Sequence, residues 1–217
     1  MNKEFNNKRY NKDFFVDFER VDKIISLVGQ GGKVLDIGCG DGQISKIIKE
    51  NNEVFGIEIS DIARQKAKDN GINVLDLDLN LNWSDGLEES FDVVVAGEII
   101  EHIFDTDKFL QNIHKVLKED GYLVLSTPNI ASLGRRLFLL FGINPAIETT
   151  ARSYDAGHIR YFTFNSLKKM LKENNFKVIS FTSDCINFDR NGLIKNIFLV
   201  NIFPKTGRSL IIKAIKQ

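Results

Sequence analysis

Val34-Leu-Asp-Ile-Gly-Cys-Gly-Asp-Gly-Gln43 is the stretch on which the reading of this chain turns. An apolar run enters a turn of three alternate glycines flanked by two carboxylates, Asp36 and Asp41. The run predicts a buried strand, and the glycines let the backbone beyond it approach a ligand closely. Several nucleotide-binding α/β folds place a glycine turn between first strand and first helix, so the glycines alone do not choose among them. The acids do. Beside a dinucleotide pyrophosphate they would repel it, whereas a cationic sulfonium or ammonium ligand would be attracted. The spacing Gly38-x-Gly40-x-Gly42 also departs from the G-x-G-x-x-G of dinucleotide loops.

Working outward, apolar runs alternate with helical periodicity. Phe15, Phe18, Val21, Ile24, Ile25 and Val28 recur at helical spacing ahead of the glycine loop, and Lys46-Ile-Ile-Lys-Glu and Ile62-Ala-Arg-Gln-Lys-Ala-Lys follow the first two strands. Ile113, Val116 and Leu117 mark a further helix, and another is expected over 164–174. Strands are expected at Val54–Glu58, Ser90–Ala96, Gly121–Asn129, Phe176–Thr182 and Ser209–Ile215. Alternation of this kind predicts an α/β fold with a mostly parallel sheet and helices on both faces.

With these pieces in order, residues 20–180 resemble the class I S-adenosylmethionine (SAM)-dependent methyltransferases. The resemblance implies a Rossmann-like seven-stranded sheet whose last strand is antiparallel. It also implies a cofactor site at Asp36, Gly38, Cys39, Gly40, Glu58, Ile59, Asp78, Leu79, Gly97 and Glu98. In that site Glu58 accepts hydrogen bonds from the ribose hydroxyls, Asp78 and Leu79 meet the adenine, and Gly97 and Glu98 stand near the methionine end. For Cys39 small apolar packing is the plainer role.

Length and composition agree. The 217 residues suit one domain with a polar arm over 1–12. Twenty-nine basic and 29 acidic side chains cancel, so no global field steers the chain towards nucleic acid or acidic membranes. Two cysteines provide neither a disulfide framework nor a metal cluster. The start lacks a signal pattern and no apolar run reaches transmembrane length, which gives a cytoplasmic expectation.

Two segments carry the candidate chemistry. Gly97-Glu-Ile-Ile-Glu-His-Ile103 follows the fourth strand; if helical, it sets Glu98, Glu101 and His102 on one face. Tyr154-Asp-Ala-Gly-His-Ile-Arg-Tyr-Phe-Thr163 brings His158 and Arg160 to the rim of the same pocket. Together they resemble a methyltransferase subset with a Glu-x-x-Glu-His motif and a distant histidine, including small-RNA 2′-O-methyltransferases and ubiquinone-pathway O-methyltransferases. That resemblance implies a divalent cation on Glu98, Glu101, His102 and His158. Without a metal, His102 orients the acceptor and His158 serves as a general base. The two histidines are expected to converge in either case.

Between 130 and 162 the chain shows no clear strand, and the resemblance places acceptor-binding structure there. Ser132-Leu-Gly-Arg-Arg-Leu-Phe-Leu-Leu-Phe141 reads as a lid helix that buries Leu137, Phe138 and Phe141; the sharper reading is an interfacial helix in peripheral contact with a membrane. Arg135, Arg136, Arg152 and Arg160 are candidates for holding phosphate or carboxylate. A second apolar stretch, Ile194 to Phe203, extends the cap or forms a dimer contact. The expectation is O-methylation of a small-molecule, sugar or glycan-type acceptor by a monomer or homodimer. An NAD(P)-binding Rossmann oxidoreductase and a SAM-binding module without transfer activity remain the alternatives.

Overall fold

The computed structural model describes residues 3–9, 17–87, 90–149, 156–189 and 194–217. The strands are β1 (Lys33–Ile37), β2 (Glu53–Ile57), β3 (Asn73–Leu75), β4 (Phe91–Gly97), β5 (Leu117–Pro128), β6 (Phe176–Thr182), β7 (Ile186–Asn187), β8 (Lys195–Asn196) and β9 (Ser209–Lys216). Seven of them build one sheet in the order β3-β2-β1-β4-β5-β9-β6, while β7 and β8 pair as a separate two-residue ribbon. The strands from β3 to β5 are mutually parallel, and β9 runs antiparallel to both β5 and β6. This is the Rossmann-like sheet with an antiparallel last strand.

Both faces are covered, which is why the strands read as unbroken apolar runs. Alternation along β1 sends Val34 to one face and Leu35 and Ile37 to the other. Val34 packs with Ile24 and Val28 of helix α2 (Phe18–Val28) and Ile48 of α3 (Gln43–Lys49); α1 (Lys3–Arg9) precedes them. The opposite face receives Leu110 and Ile113 of α5 (Thr106–Val116), which follows α4 (Asp61–Asp69). Burying each such side chain contributes about 1.5–3 kcal/mol. Strand order reverses between β1 and β4, so their carboxyl ends open the crevice where ligands bind in such sheets.

Several local expectations need correction. The polar arm is helical over Lys3–Arg9 and docks on α4: Lys3 pairs with Asp61 at 2.9 Å and Asp76 at 3.2 Å, and Ser60 Oγ donates to Asn7. Phe18 belongs to α2 but is exposed, and Phe15 lies outside the described residues. Leu117 joins β5 instead of α5, pairing with Phe91 before the chain bulges and resumes with Tyr122 opposite Val93.

The largest departure concerns the insertion. It contains α6 (Leu133–Leu140), ahead of α7 (Phe164–Glu173) and the short α8 (Leu199–Ile202), but α6 buries only Gly134. Gly134 sits so close to β7 that a Cβ there would lie 2.7 Å from the Asn187 carbonyl. The close approach leaves Leu139, Leu140 and Phe141 exposed at 65%, 76% and 75%, so the lid that would bury Leu137 and Phe141 does not form. Phe198, Ile202 and Phe203 are exposed as well, and only Val200 of α8 is buried. No helix among the described residues is long and apolar enough to cross a membrane.

Gly38 tests how tightly the β1 turn is built. Its φ is +75°, and a Cβ would lie 2.9 Å from Ile99 Cδ1, whereas Gly31 has φ +77° with open space around it. Gly38→Ala should cost about 2–3 kcal/mol in urea unfolding and Gly31→Ala about 1 kcal/mol, the difference being the steric clash.

Candidate functional site

A cleft of about 390 Å³ opens at the carboxyl ends of β1, β2 and β4. Gly38, Gly40 and Gly42 all adopt positive φ, folding the turn back so that Gly38 and Cys39 N–H groups both donate to the Ile57 carbonyl. Glu58 then closes the loop. One of its oxygens accepts from Gly40 N at 3.0 Å and the other from Ser60 N at 2.7 Å, so the acid staples the β1 turn to the end of β2. Each carboxylate oxygen can accept more than one bond, which leaves Glu58 capacity towards the cleft that it lines. Burial raises its pKa despite these donors.

Gly38, Cys39, Gly40, Ile59, Asp78, Leu79, Gly97 and Glu98 line the cleft as well. Cys39 is otherwise packed against Gly56, where a Cβ would lie 2.6 Å from its sulfur, and burial lifts its thiol pKa well above the ordinary value. Asp36 differs from expectation. Strand alternation turns it, like Val34, towards the α2 and α3 side, where it accepts from Ser45 Oγ at 2.5 Å, and it is not among the residues lining the cleft. Burial, then the charge of Glu58, pushes its pKa up to about 6.

The segment after β4 is not one helical face. Glu98 has φ 54°, a left-handed conformation uncommon for such a residue, and Ile100–His102 forms a single 3₁₀ turn. Glu98 has partners of its own: Ser126 Oγ donates to it at 2.9 Å and Arg20 Nη1 lies 3.3 Å from its other oxygen. Glu101, His102 and His158 do meet, with one donor atom from each within 4.8 Å of the others. The histidine ring centroids are 4.9 Å apart. Convergence is forced by backbone bonds, since Ile159 and Arg160 N–H groups donate to the Glu101 carbonyl and His102 Nδ1 lies 3.0 Å from the Gly157 carbonyl.

Glu101 is 1% exposed. Thr127 Oγ1 donates to its Oε2 at 2.9 Å, while Oε1 has no hydrogen-bond partner and faces His158 Nε2 across 3.8 Å. Burial, reinforced by Glu98, holds its carboxyl well above the usual carboxylate range.

Of the arginines expected to hold an anion, Arg160 is engaged with the Ile103 and Phe104 carbonyls and Arg136 with the Ala131 carbonyl. Arg152 lies outside the described residues, as do Tyr154 and Asp155. Arg135 has a buried Nη1 without a partner, and its guanidinium senses Tyr161 and Glu98. Arg20, Asn6 and Asp17 also line the cleft and were not anticipated. Arg20 carries a signal in retrospect, since it lies one turn before the buried Ile24 on α2. Glu148 was missed too: it sits in an insertion without periodicity, yet its Oε1 is 3.3 Å from His158 Nδ1.

Among the described residues acids outnumber bases in the cleft lining, with Asp41, Glu58, Asp78, Glu98 and Glu101 beside Arg20, which pairs with Glu98, and Asp17, which pairs with Arg208. Such a lining attracts a cation and disfavours a pyrophosphate.

The family described as Methyltransferase domain matches residues 14–181. The ubiquinone biosynthesis O-methyltransferase of Haemophilus ducreyi is 38% identical over 109 residues, 46% of this chain and 46% of that protein. The mitochondrial protein of that name from Schizosaccharomyces pombe is 29% identical over 167 residues, 72% of this chain and 59% of that one. The chain thus spans about half the length of the curated relatives it matches. Among solved structures, a SAM-dependent methyltransferase of Thermotoga maritima, described as a possible histamine N-methyltransferase, superposes with TM-score 0.68 at 18% identity, covering 99% of this chain and 98% of that one. The magnesium protoporphyrin IX methyltransferase of Synechocystis with bound S-adenosylhomocysteine gives TM-score 0.63 at 19% identity, covering 99% and 98%.

Asp36 offers a clean pH test. Its folded pKa of about 6 lies above the ordinary 3.8, so its contribution to stability is full well below pH 3.8 and is lost as the pH rises through 6. Asp36→Asn keeps an acceptor for Ser45 and removes the titration. Urea unfolding at pH 4 and pH 7 should show wild type losing about 2.4 kcal/mol relative to the variant across that interval.

Proposed function

Since the chain belongs to the methyltransferase-domain family matched over residues 14–181, we propose that it is a single-domain enzyme transferring a methyl group from SAM to a hydroxyl oxygen of a small-molecule acceptor. The observation that carries this reading is the division of one cleft into an acid-lined half around Glu58 and Asp78 and an imidazole-bearing half around His102 and His158. Glu58 takes the ribose hydroxyls, Asp78 and Leu79 the adenine, and the glycine turn, with Cys39 and Ile59, the intervening backbone. Gly97 and Glu98 meet the methionine end. SAM supplies a methyl group already activated on a sulfonium. His158 Nε2 receives the acceptor hydroxyl proton as the O–CH₃ bond forms and the S–CH₃ bond breaks, leaving a neutral thioether. Alignment of acceptor and methyl donor is worth roughly 7–11 kcal/mol, so the base needs to supply only part of the rate.

The names of the sequence relatives, ubiquinone biosynthesis O-methyltransferases, support oxygen as the acceptor atom and speak of no sugar or glycan.

A second reading adds a divalent cation. Glu101, His102 and His158 fit one chemically: Oε1 of Glu101 is an orphaned buried acceptor, and His102 holds the Gly157 carbonyl through Nδ1, as metal-bound histidines commonly do through the nitrogen turned from the metal. A cation there would stabilise the acceptor alkoxide. Glu98, committed to Ser126 and Arg20, is left out of this set. The bare apolar flank of α6 and residues 194–203 supports peripheral contact with a lipid surface, and sedimentation with anionic vesicles should carry the protein down while Leu140→Glu/Phe141→Glu releases it.

Calorimetry with SAM and its demethylated product should give saturable binding, weakened about 10- to 100-fold in Glu58→Gln. Radiolabelled SAM with metabolite extracts should mark a small molecule; label confined to RNA, or binding without any turnover, would overturn the acceptor assignment. Added Mn²⁺ should raise turnover only if the second reading is correct.

A further inference from the structure

The polar arm reaches the cleft from outside the sheet and the helices that cover it. Helix α1 lies against α4, and its Asn6 lines the cleft together with Glu58 and Ile59. Lys3 and Asn7 hold it there. Lys3 Nζ stands between Asp61 at 2.9 Å and Asp76 at 3.2 Å, and Asn7 Oδ1 accepts from Ser60 Oγ at 2.8 Å. Ser60 is also the residue whose N–H donates to Glu58 at 2.7 Å and whose Oγ accepts from Ala63 N to cap α4. The arm is thereby fastened to the same residue that anchors the acid assigned to the ribose.

Such a hold is reversible. A seven-residue helix does not persist alone in water, so the helicity of α1 comes from docking and its release means unwinding. The side chains of Lys3, Asp61 and Asp76 are each about half-exposed, and ion pairs of that kind are weak and screened by salt. Arg64 pairs with the same two acids, at 2.8 Å from Asp76, so both carboxylates keep a partner when Lys3 leaves.

We infer that α1 is a clasp over the adenosine half of the cleft: docked through Lys3 and Asn7, it adds Asn6 to the surroundings of the cofactor, and bound cofactor in turn holds it down. The inference rests on the cofactor placement proposed above. Linkage makes the two effects equal, since the factor by which docking raises cofactor affinity is the factor by which cofactor favours docking. A released arm therefore lowers the apparent affinity in proportion to the docked fraction lost.

The double variant Lys3→Met/Asn7→Ala is the informative one, because neither residue lines the cleft and the acids it leaves behind keep Arg64. S-adenosylhomocysteine is the probe; it lacks the sulfonium charge, which removes most of the direct electrostatic effect of losing a lysine. Hydrogen exchange of residues 3–9, read by mass spectrometry, reports docking, and calorimetry reports affinity. In wild type, saturating S-adenosylhomocysteine should slow exchange of residues 3–9 about fivefold or more. The double variant should exchange faster there without ligand and bind S-adenosylhomocysteine about fivefold or more weakly, with exchange of β1 and β4 unchanged as the sign of an intact body. Lys3→Arg should keep wild-type affinity. Ligand binding that leaves residues 3–9 exchanging as before, variant exchange equal to wild type, or a released arm with unaltered affinity would each overturn the inference. Failure of wild type to bind S-adenosylhomocysteine at all is a different result: it removes the cofactor reading on which the clasp rests, while exchange without ligand still decides whether Lys3 and Asn7 hold the arm.

Discussion

Two backbone N–H groups from different turns converge on the Glu58 carboxylate, and the shape of the cleft follows from that. Gly40 belongs to the turn after β1 and Ser60 to the turn after β2, yet both donate to one buried side chain. The sheet sets up the contact, because parallel pairing of β1 with β2 brings Ile37 level with Ile57 and ends the two strands side by side. Removing the carboxylate would leave two N–H groups without acceptors at the floor of the cleft, each costing about 1–3 kcal/mol. The glycines supply the flexibility and the acid supplies the constraint; neither alone defines a binding surface.

The cleft's second half obeys a similar economy. Glu101 contributes its backbone carbonyl to the 156–160 loop, one side-chain oxygen to Thr127 and the other to the space before His158. A buried carboxyl normally carries its proton when its partners are few, and the raised pKa of Glu101 expresses that. The left-handed Glu98 just before it turns the chain so that Glu98 serves Ser126 and Arg20 while Glu101 serves the loop. Two carboxylates three residues apart thereby acquire different surroundings.

How far the sequence could be read depends on where each residue's environment comes from. Strands and helices of the sheet followed from periodicity, because burial on both faces imposes it on Val34, Leu35, Val93 and Val94 alike. Glu58, Asp78 and the glycine turn were legible because they sit within a few residues of a strand end. Asp36 was misplaced although it lies inside the most telling motif: which face a strand residue takes is a matter of register, and Ser45 on α3 claimed it. Glu98 failed for a conformational reason, since a helical spacing argument has no purchase on a residue at φ 54°. Glu148 was invisible because its contact lies 10 positions away in a stretch without periodicity, and Arg20 showed only its place on α2, its partner Glu98 lying 78 positions away. The lid reading of α6 failed on the side of packing, where Gly134 rather than the leucines makes the contact.

The place of β9 has a consequence for how the chain reaches this state. It lies between β5 and β6, both of which precede it, and pairs antiparallel with each. β6 runs in the same sense as β5, so nothing in strand direction prevents the two from pairing with each other first. Productive assembly therefore has to keep the edge of β5 open until a strand more than 80 residues further on arrives, a long loop to close before any bond rewards it. Folding should be a two-tempo process: the strands from β3 to β5, joined by short crossovers, form early, and a slower search installs β9 while the β5 edge stands exposed to mispairing and to other molecules.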